Sequence, residues 1–164
     1  MDDGDEVQFV TIGIDREVFA VPVEAVHEIL DLRPMFRIPN APIHVAGLID
    51  VRGRAVPVLD LRVKLGLPKV PATDNTRILV LEIALQGRNL ALGLIADRVF
   101  EVAVLDRHSI APPPDIGTGW HCDYIQGVGR RGDNFVVIFD LPRLLSNDDV
   151  VLLTRRATAE AAAA

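Results

Sequence analysis

The chain has 164 residues, of which 49% are apolar and 24% are charged, and its formal net charge is −6. This balance predicts one compact domain, or two small ones that share a core, and it excludes a mainly disordered chain. The acidic charge disfavours nucleic acid and anionic membrane surfaces as partners, and the longest uncharged stretch, 38–49, is shorter than the roughly 20 apolar residues of a membrane helix.

The first half of the chain reads mostly as short strands. Residues 7–14 and 18–22 are apolar and flank a short polar connection, which is typical of a hairpin. A short helix is predicted after Pro22, because Val23, Val26 and Leu30 have helical spacing. Further along, Pro57 confines its strand to an edge or a bulge, and Asp60 is a plausible N-cap of a helical turn.

The second half repeats this order of signals. Strands are predicted at 76–85 and 90–96, again as a hairpin, and an apolar strand is predicted at 134–139. Asp140 then caps a short helical turn. The tail from residue 148 is expected to be helical near the body and frayed at its end.

An internal repeat connects the two halves. Residues 18–29 align with 91–102 without a gap, and 47–65 resemble 127–145, each with Arg-Gly, an apolar run and Asp-Leu in order. The first alignment places four residues, Phe19, Val26, Glu28 and Ile29, on Leu92, Val99, Glu101 and Val102. The sequence therefore predicts two copies of one module, roughly 7–66 and 77–145, that form two small β-barrels.

Two motifs that can carry chemistry are weak in this context. The glycine pattern at 127–132 matches a dinucleotide-binding fingerprint, but it runs into a strand instead of a helix, which favours a turn. The run His121-Cys122-Asp123 offers three possible ligands or catalytic groups, yet adjacent side chains rarely converge on one ion. A small hydrolase that uses these three residues stays open as an alternative, as does, in third place, a nucleic-acid-binding barrel.

Recurring charges are more informative. Glu28 and Arg52 of the first copy have counterparts in Glu101 and Arg131 of the second, so each pair is expected to meet within its own barrel. An exposed pair contributes about 0–1 kcal/mol, whereas breaking a partly buried pair costs about 3–5 kcal/mol. We expect the second, structural role for Arg52.

The ordered series of motifs resembles the CheW family of chemotaxis adaptor proteins. The resemblance runs from about residue 7 to 153 and includes 38–66, 92–102 and 124–145. It implies a mainly all-β fold of two SH3-like five-stranded barrels around a common core, with short helices and a C-terminal helix. The single domain would span 7–153 and be followed by a flexible tail at 154–164.

The resemblance also implies a function without catalytic residues, metal or cofactor. CheW-like adaptors are cytoplasmic and bridge the regulatory domain of the kinase CheA to the cytoplasmic tip of chemoreceptors in arrays beneath the membrane, without inserting into it. The receptor helix lies in a groove between the barrels, and one barrel end meets CheA. By motif position, the groove residues are Val26, Gly93 and Val102, the CheA-side residues are Gly47, Arg52, Gly53 and Pro57, and the paired charges are Glu28 and Arg52.

Two departures from the family leave the pathway open. Asp50-Val51 stands where the family often has Asn-Leu, and the segment from Pro112 to Asp123 does not follow the usual pattern. An alternative is a paralogous adaptor in a non-flagellar pathway, such as one that controls surface motility.

Overall fold

A computed structural model describes residues 5–85, 87–112, 124–145 and 149. In this part of the chain, short strands dominate and helices are limited to single turns. The strands are β1 Glu6–Ile14, β2 Glu17–Pro22, β3 Val26–Asp31, β4 Val45–Val51, β5 Arg54–Asp60, β6 Arg77–Leu85, β7 Arg88–Ala96, β8 Arg98–Asp106, β9 Ile125–Arg131 and β10 Asn134–Phe139. The helical turns are α1 Leu61–Lys64, α2 Leu141–Leu144 and two 3-10 helices, Val23–Ala25 and Arg107–Ser109.

The strands form two five-stranded mixed sheets. The β1 sheet has the order β8-β1-β2-β10-β9, and the β6 sheet has the order β3-β6-β7-β5-β4. Each sheet contains one parallel pair, β2 with β10 and β5 with β7, while its other neighbours are antiparallel. The two orders are equivalent position by position, as two copies of one module require.

The two sequence copies do not each build their own sheet. The hairpin β1–β2 of the first copy lies in the sheet with β8, β9 and β10, and the hairpin β6–β7 of the second copy lies with β3, β4 and β5. The assignment of 7–66 and 77–145 to separate barrels is therefore corrected: the copies exchange their first hairpins. Each hairpin joins the other copy through a parallel pair, β2 with β10 or β7 with β5. The strands of a parallel pair lie far apart in the sequence. Contacts between the copies, and not local sequence, therefore select which strand each hairpin pairs with.

Three apolar clusters fill the structure. The largest, which we call the shared core, lies between the sheets and combines residues of the β1 sheet, such as Ile12 and Phe139, with residues of the β6 sheet, such as Leu79 and Leu92. Each sheet also curls around an interior cluster whose fully buried members all belong to that sheet. Each sheet therefore buries both of its faces.

The prediction that Pro57 lies on an edge or bulge is wrong, because β5 lies inside its sheet between β4 and β7. Leu48, opposite Pro57, exchanges both of its backbone hydrogen bonds with Phe36. The backbone of Pro57 therefore faces away from β4, and the pairing of β5 with β7 begins only at Val58. The missing N–H of proline consequently costs no ladder bond.

The predicted helix after Pro22 is confined to the 3-10 turn Val23–Ala25, since the chain continues as β3. The predicted N-caps are present: the Asp60 carboxylate accepts from the Arg62 N–H at 3.1 Å, and Asp140 accepts from the Arg143 N–H at 3.3 Å. The predicted C-terminal helix and tail lie outside the described residues.

Candidate partner-binding surfaces

The edge strands β3 and β8 present matching apolar pairs beside the shared core. Val26 on β3 and Val99 on β8 are partly buried and pack against that core. Ile29 and Val102, three residues further along each strand, are 43% and 52% exposed. We call these four residues the edge-strand surface. Exposed apolar side chains that continue a packed core are typical of a site that a partner covers.

A β-bulge in each edge strand creates this spacing. Val26 and Ile29 lie opposite Leu81 and Leu79, so β3 advances three residues while β6 advances two. An extra residue of this kind lets two side chains three positions apart face the same side of a sheet. The same insertion occurs in β8, where Val99 and Val102 lie opposite Ile12 and Val10. The bulge explains the three-residue spacing of Val26 and Ile29, which resembles helical periodicity.

Gly93 does not belong to this surface, which corrects its assignment to the groove. It is buried in β7, and an added Cβ would lie 3.0 Å from Ile78 Cγ2 and 3.1 Å from Val58 Cγ2. Both neighbours belong to the interior cluster of the β6 sheet. Gly93 therefore faces the inside of that sheet, where a side chain would crowd the packing.

The β4–β5 hairpin brings the other predicted residues to one end of the β6 sheet. Arg52 and Gly53 form its two-residue turn with φ of 53° and 86°, which matches a type I′ turn. The Gly53 N–H donates to Asp50 Oδ1 at 2.8 Å. Gly47 is required because a Cβ there would lie 2.5 Å from the Phe36 carbonyl oxygen.

An apolar depression adjoins this hairpin. It is lined by six residues, Phe36, Leu48, Ile49, Asp50, Gly53 and Ala55. Phe36 is 73% exposed although it pairs with β4 through Leu48. We call Phe36 together with the turn residues Arg52 and Gly53 the hairpin-end surface. Sequence reasoning missed Phe36, because only its isolated bridge to β4 places it beside the turn.

The two recurring charge pairs meet within their own sheets, and the arginine of each pair is exposed. Arg52 Nη1 lies 3.5 Å from Glu28 Oε2, yet the Arg52 side chain is 76% exposed and that of Glu28 is 21% exposed. Glu101 and Arg131 also form an ion pair, and both side chains are exposed. The exposure of Arg52 favours the small contribution of a solvent-screened contact, although Glu28 Oε2 itself is buried, so the structural role of this pair stays a prediction.

Two ionic clusters, one around buried Arg62 and one around buried Asp149, were not anticipated from the sequence. Arg62 of α1 contacts Asp97 at 2.7 Å and Asp15 at 3.4 Å. Buried Asp149 pairs with Lys64 at 2.7 Å and also with His44. The repeat held a signal for the first cluster, since Arg62 aligns with Pro142 in the second copy. Such a departure inside an otherwise matching segment indicates a role that only one copy has.

Some of the alternatives from the sequence can be compared with the described residues, and others fall on residues that are not described. Among the described residues, no three His, Cys, Asp or Glu side chains are arranged to hold a metal ion. In the same part of the chain, no helix has the length and apolar character to cross a bilayer. The run His121-Cys122-Asp123 lies outside the described residues, as does the rest of the unusual segment beyond Pro112.

Comparisons with known proteins agree with this geometry. The family model of the CheW-like domain matches residues 8–149. Chemotaxis protein CheW of Klebsiella aerogenes is 29% identical over 146 residues, which cover 89% of this chain and 86% of that protein. Protein FrzA of Myxococcus xanthus is 28% identical over 129 residues, which cover 79% of this chain and 78% of that protein.

A solved structure shows the same fold. The crystal structure of the scaffolding protein TtCheW from Thermoanaerobacter tengcongensis matches with a TM-score of 0.76 at 30% identity, covering 87% of this chain and 94% of that one. This match confirms the predicted mainly β fold class of two five-stranded sheets with short helices.

Proposed function

This chain belongs to the CheW-like domain family, and we propose that it is a non-enzymatic scaffold that couples chemoreceptors to the regulatory domain of the histidine kinase CheA. The observation that carries the proposal is the repeated apolar pair on the edge strands β3 and β8. A scaffold of this kind needs two separate binding surfaces, and the edge-strand and hairpin-end surfaces supply two candidates.

The edge-strand surface suits a helical partner. A receptor tip offers apolar side chains at helical spacing, and such helices bind by laying those side chains into an apolar groove. Val26 and Ile29 come from one sheet and Val99 and Val102 from the other, and all four adjoin the shared core through their strand partners. A helix placed there would extend that core outward and cover Ile29 and Val102.

The hairpin-end surface is our candidate for the kinase. Its apolar element is Phe36, and its turn is held rigidly by Arg52, Gly53 and the Asp50 side chain. Gly47 and Pro57 act indirectly: Gly47 lets the Phe36 backbone approach β4, and Pro57 lies opposite Leu48, to which Phe36 bonds. A rigid turn beside an exposed aromatic residue is a favourable basis for a protein interface.

The proposal also includes the signalling pathway in which the scaffold acts. We propose a chemotaxis array at the cytoplasmic side of the membrane, by analogy with proteins such as chemotaxis protein CheW of Klebsiella aerogenes. The similarity to protein FrzA supports a second candidate pathway, in which the same scaffold serves a different kinase and a different set of receptors.

Calorimetric titration with the CheA regulatory domain and with a receptor-tip fragment, both from the same genome, tests the proposal. We expect saturable binding of both and simultaneous binding in a ternary mixture. Phe36→Asp should abolish kinase binding and spare receptor binding, whereas Phe135→Asp, which changes an exposed phenylalanine of the β1 sheet, should spare both. Absence of binding to every CheA of that genome would overturn the proposal, and binding to only one of several would identify the pathway.

A further inference from the structure

The connection between β7 and β8 is a single residue. β7 ends at Ala96 in the β6 sheet, β8 begins at Arg98 in the β1 sheet, and Asp97 alone lies between them. The edge-strand surface starts only two residues later, at Val99. The position of Asp97 therefore determines where β8 enters its sheet relative to the other sheet.

A buried arginine holds this connection. Arg62, which follows β5 of the β6 sheet, is 8% exposed, and its Nη1 donates to Asp97 Oδ2 at 2.7 Å. The same carboxylate oxygen accepts from the backbone N–H of Asp15, in the β1–β2 turn, at 2.7 Å. Arg62 Nη2 also reaches Asp15 Oδ1 at 3.4 Å. The cluster thus ties one sheet, the other sheet and the connection between them.

We infer that Arg62 is a positioning residue that fixes β8 against the β6 sheet and thereby sets the receptor-binding edge-strand surface. The inference rests on the proposed function for the identity of the ligand. Arg62 touches no partner in this scheme and acts through Asp97 and Asp15. Arg98, the first residue of β8, adds to the arrangement by donating from Nη2 to the Asp15 carbonyl oxygen at 3.3 Å.

The geometry requires arginine at this position. All three guanidinium nitrogens are engaged with separate segments, since Nε also donates to the Pro68 carbonyl oxygen at 2.9 Å. A planar fork of fixed donors can join acceptors on several segments, whereas the single ammonium of lysine cannot reproduce that spread. Arg62→Lys therefore keeps the charge but loses the link.

The other connection between the sheets lacks this link. β2 leads to β3 through the 3-10 turn Val23–Ala25, where Glu24 is the counterpart of Asp97. Glu24 is exposed and forms no ion pair among the described residues, and the counterpart of Arg62 is Pro142. The two connections thus differ: among the described residues, an ion pair holds the connection that leads into β8, and none holds the connection that leads into β3.

The turn residues of the kinase surface, Arg52 and Gly53, lie far from the cluster. β5 spans Arg54–Asp60, so the hairpin turn and Arg62 stand at opposite ends of that strand. At about 3.3 Å per residue, the separation is on the order of 20 Å. Loss of the Arg62 link should therefore weaken receptor binding and leave kinase binding intact, a split that a general loss of stability would not produce.

The test compares Arg62→Lys and Arg62→Met with Arg143→Met, which removes the exposed arginine of the equivalent helix α2. Titration with the receptor-tip fragment should show affinity at least about tenfold weaker for both Arg62 variants, equivalent to about 1.4 kcal/mol. Affinity for the kinase domain should change less than about twofold, and Arg143→Met should match the wild type in both titrations. Equal loss of both partners, or no loss of receptor binding, would overturn the inference.

Amide hydrogen exchange of the protein without partners separates this inference from the proposed function. Residues 98–102 of β8 should exchange at least about tenfold faster in the Arg62 variants, while β6 and β7 stay protected. Unchanged exchange in β8 would refute the positioning role, whichever partners bind. Faster exchange in a protein that binds no receptor would instead refute the proposed function and retain the positioning role. If Arg62→Met fails to fold, Asp97→Asn, which keeps shape and removes charge, gives the same reading.

Discussion

The edge strands of the two sheets carry the same functional side chains, whereas the short helices of the two sheets do not. β3 and β8 carry equivalent apolar pairs, Val26 with Ile29 and Val99 with Val102, each spaced by a bulge at the same place. α1 and α2 also occupy equivalent positions after β5 and β10, and both are capped by aspartate. Only α1, however, contains a buried arginine that reaches the other sheet.

This contrast separates two requirements on a duplicated module. Where both copies face a common partner, the same side chains serve equally well on either sheet, so the pattern repeats. Where the copies are fastened to each other, one link is sufficient, and the second copy is free to carry Pro142 in place of an arginine. The differences between copies therefore indicate residues that act between the sheets.

Gly93→Arg should lower the stability more than any other change considered, because Gly93 is packed inside the β6 sheet, whereas Val102 is exposed at the surface. An arginine at Gly93 would place a charge among Val58 and Ile78, so we expect the free energy of unfolding to fall by more than about 4 kcal/mol and both partners to be lost. Chemical denaturation measures this. The control Gly132→Arg, with open space around it, should lose only about 1–2 kcal/mol for its positive φ. A stable Gly93→Arg protein that loses receptor binding alone would return Gly93 to the groove.

Ile29→Asp and Val102→Asp test whether both sheets contribute to one receptor surface. Each change would bury an unpaired carboxylate under the receptor helix, so each should weaken receptor binding by at least about tenfold while the melting temperature stays close to that of the wild type. Calorimetry and thermal unfolding check the two expectations. Phe135→Asp, at an exposed phenylalanine of β10 outside the edge strands, is the control. An effect of one change without the other would confine the surface to a single sheet.

The two helix caps should differ in strength. Asp60 is buried and Asp140 is more exposed, although each accepts one backbone hydrogen bond at the start of its helix. We expect Asp60→Ala to cost about 1–2 kcal/mol and Asp140→Ala about 0.5–1 kcal/mol in the free energy of unfolding. Urea titration of both variants gives the comparison, and equal costs would show that burial does not strengthen this cap.

Arg52→Ala and Arg131→Ala should have the smallest effect on stability. Both arginines are exposed in their ion pairs, so each change should cost less than about 1 kcal/mol. Double-mutant cycles with Glu28→Gln and Glu101→Gln measure the coupling directly. A coupling of about 3 kcal/mol or more for the first pair would restore the structural role first expected of Arg52.

Local sequence was sufficient for much of the fold. Paired apolar runs indicated the hairpins, and aspartates marked the starts of α1 and α2. Each of these features depends on residues within a few positions of one another, so neighbouring side chains and backbone preferences encode it. The duplication and the family resemblance were likewise visible in the order of residues along the chain.

Tertiary structure alone decided the remaining features, because they depend on which distant strands pair. The exchange of hairpins between copies, the interior place of Pro57 and the inward direction of Gly93 all follow from the parallel pairs β2–β10 and β5–β7. The bulge that turns Val26 and Ile29 to one side exists only against β6. The link from Arg62 to Asp97 joins residues 35 positions apart. Sequence spacing carries no record of such contacts, since long-range pairing is selected by the burial of whole sheet faces and not by local preference.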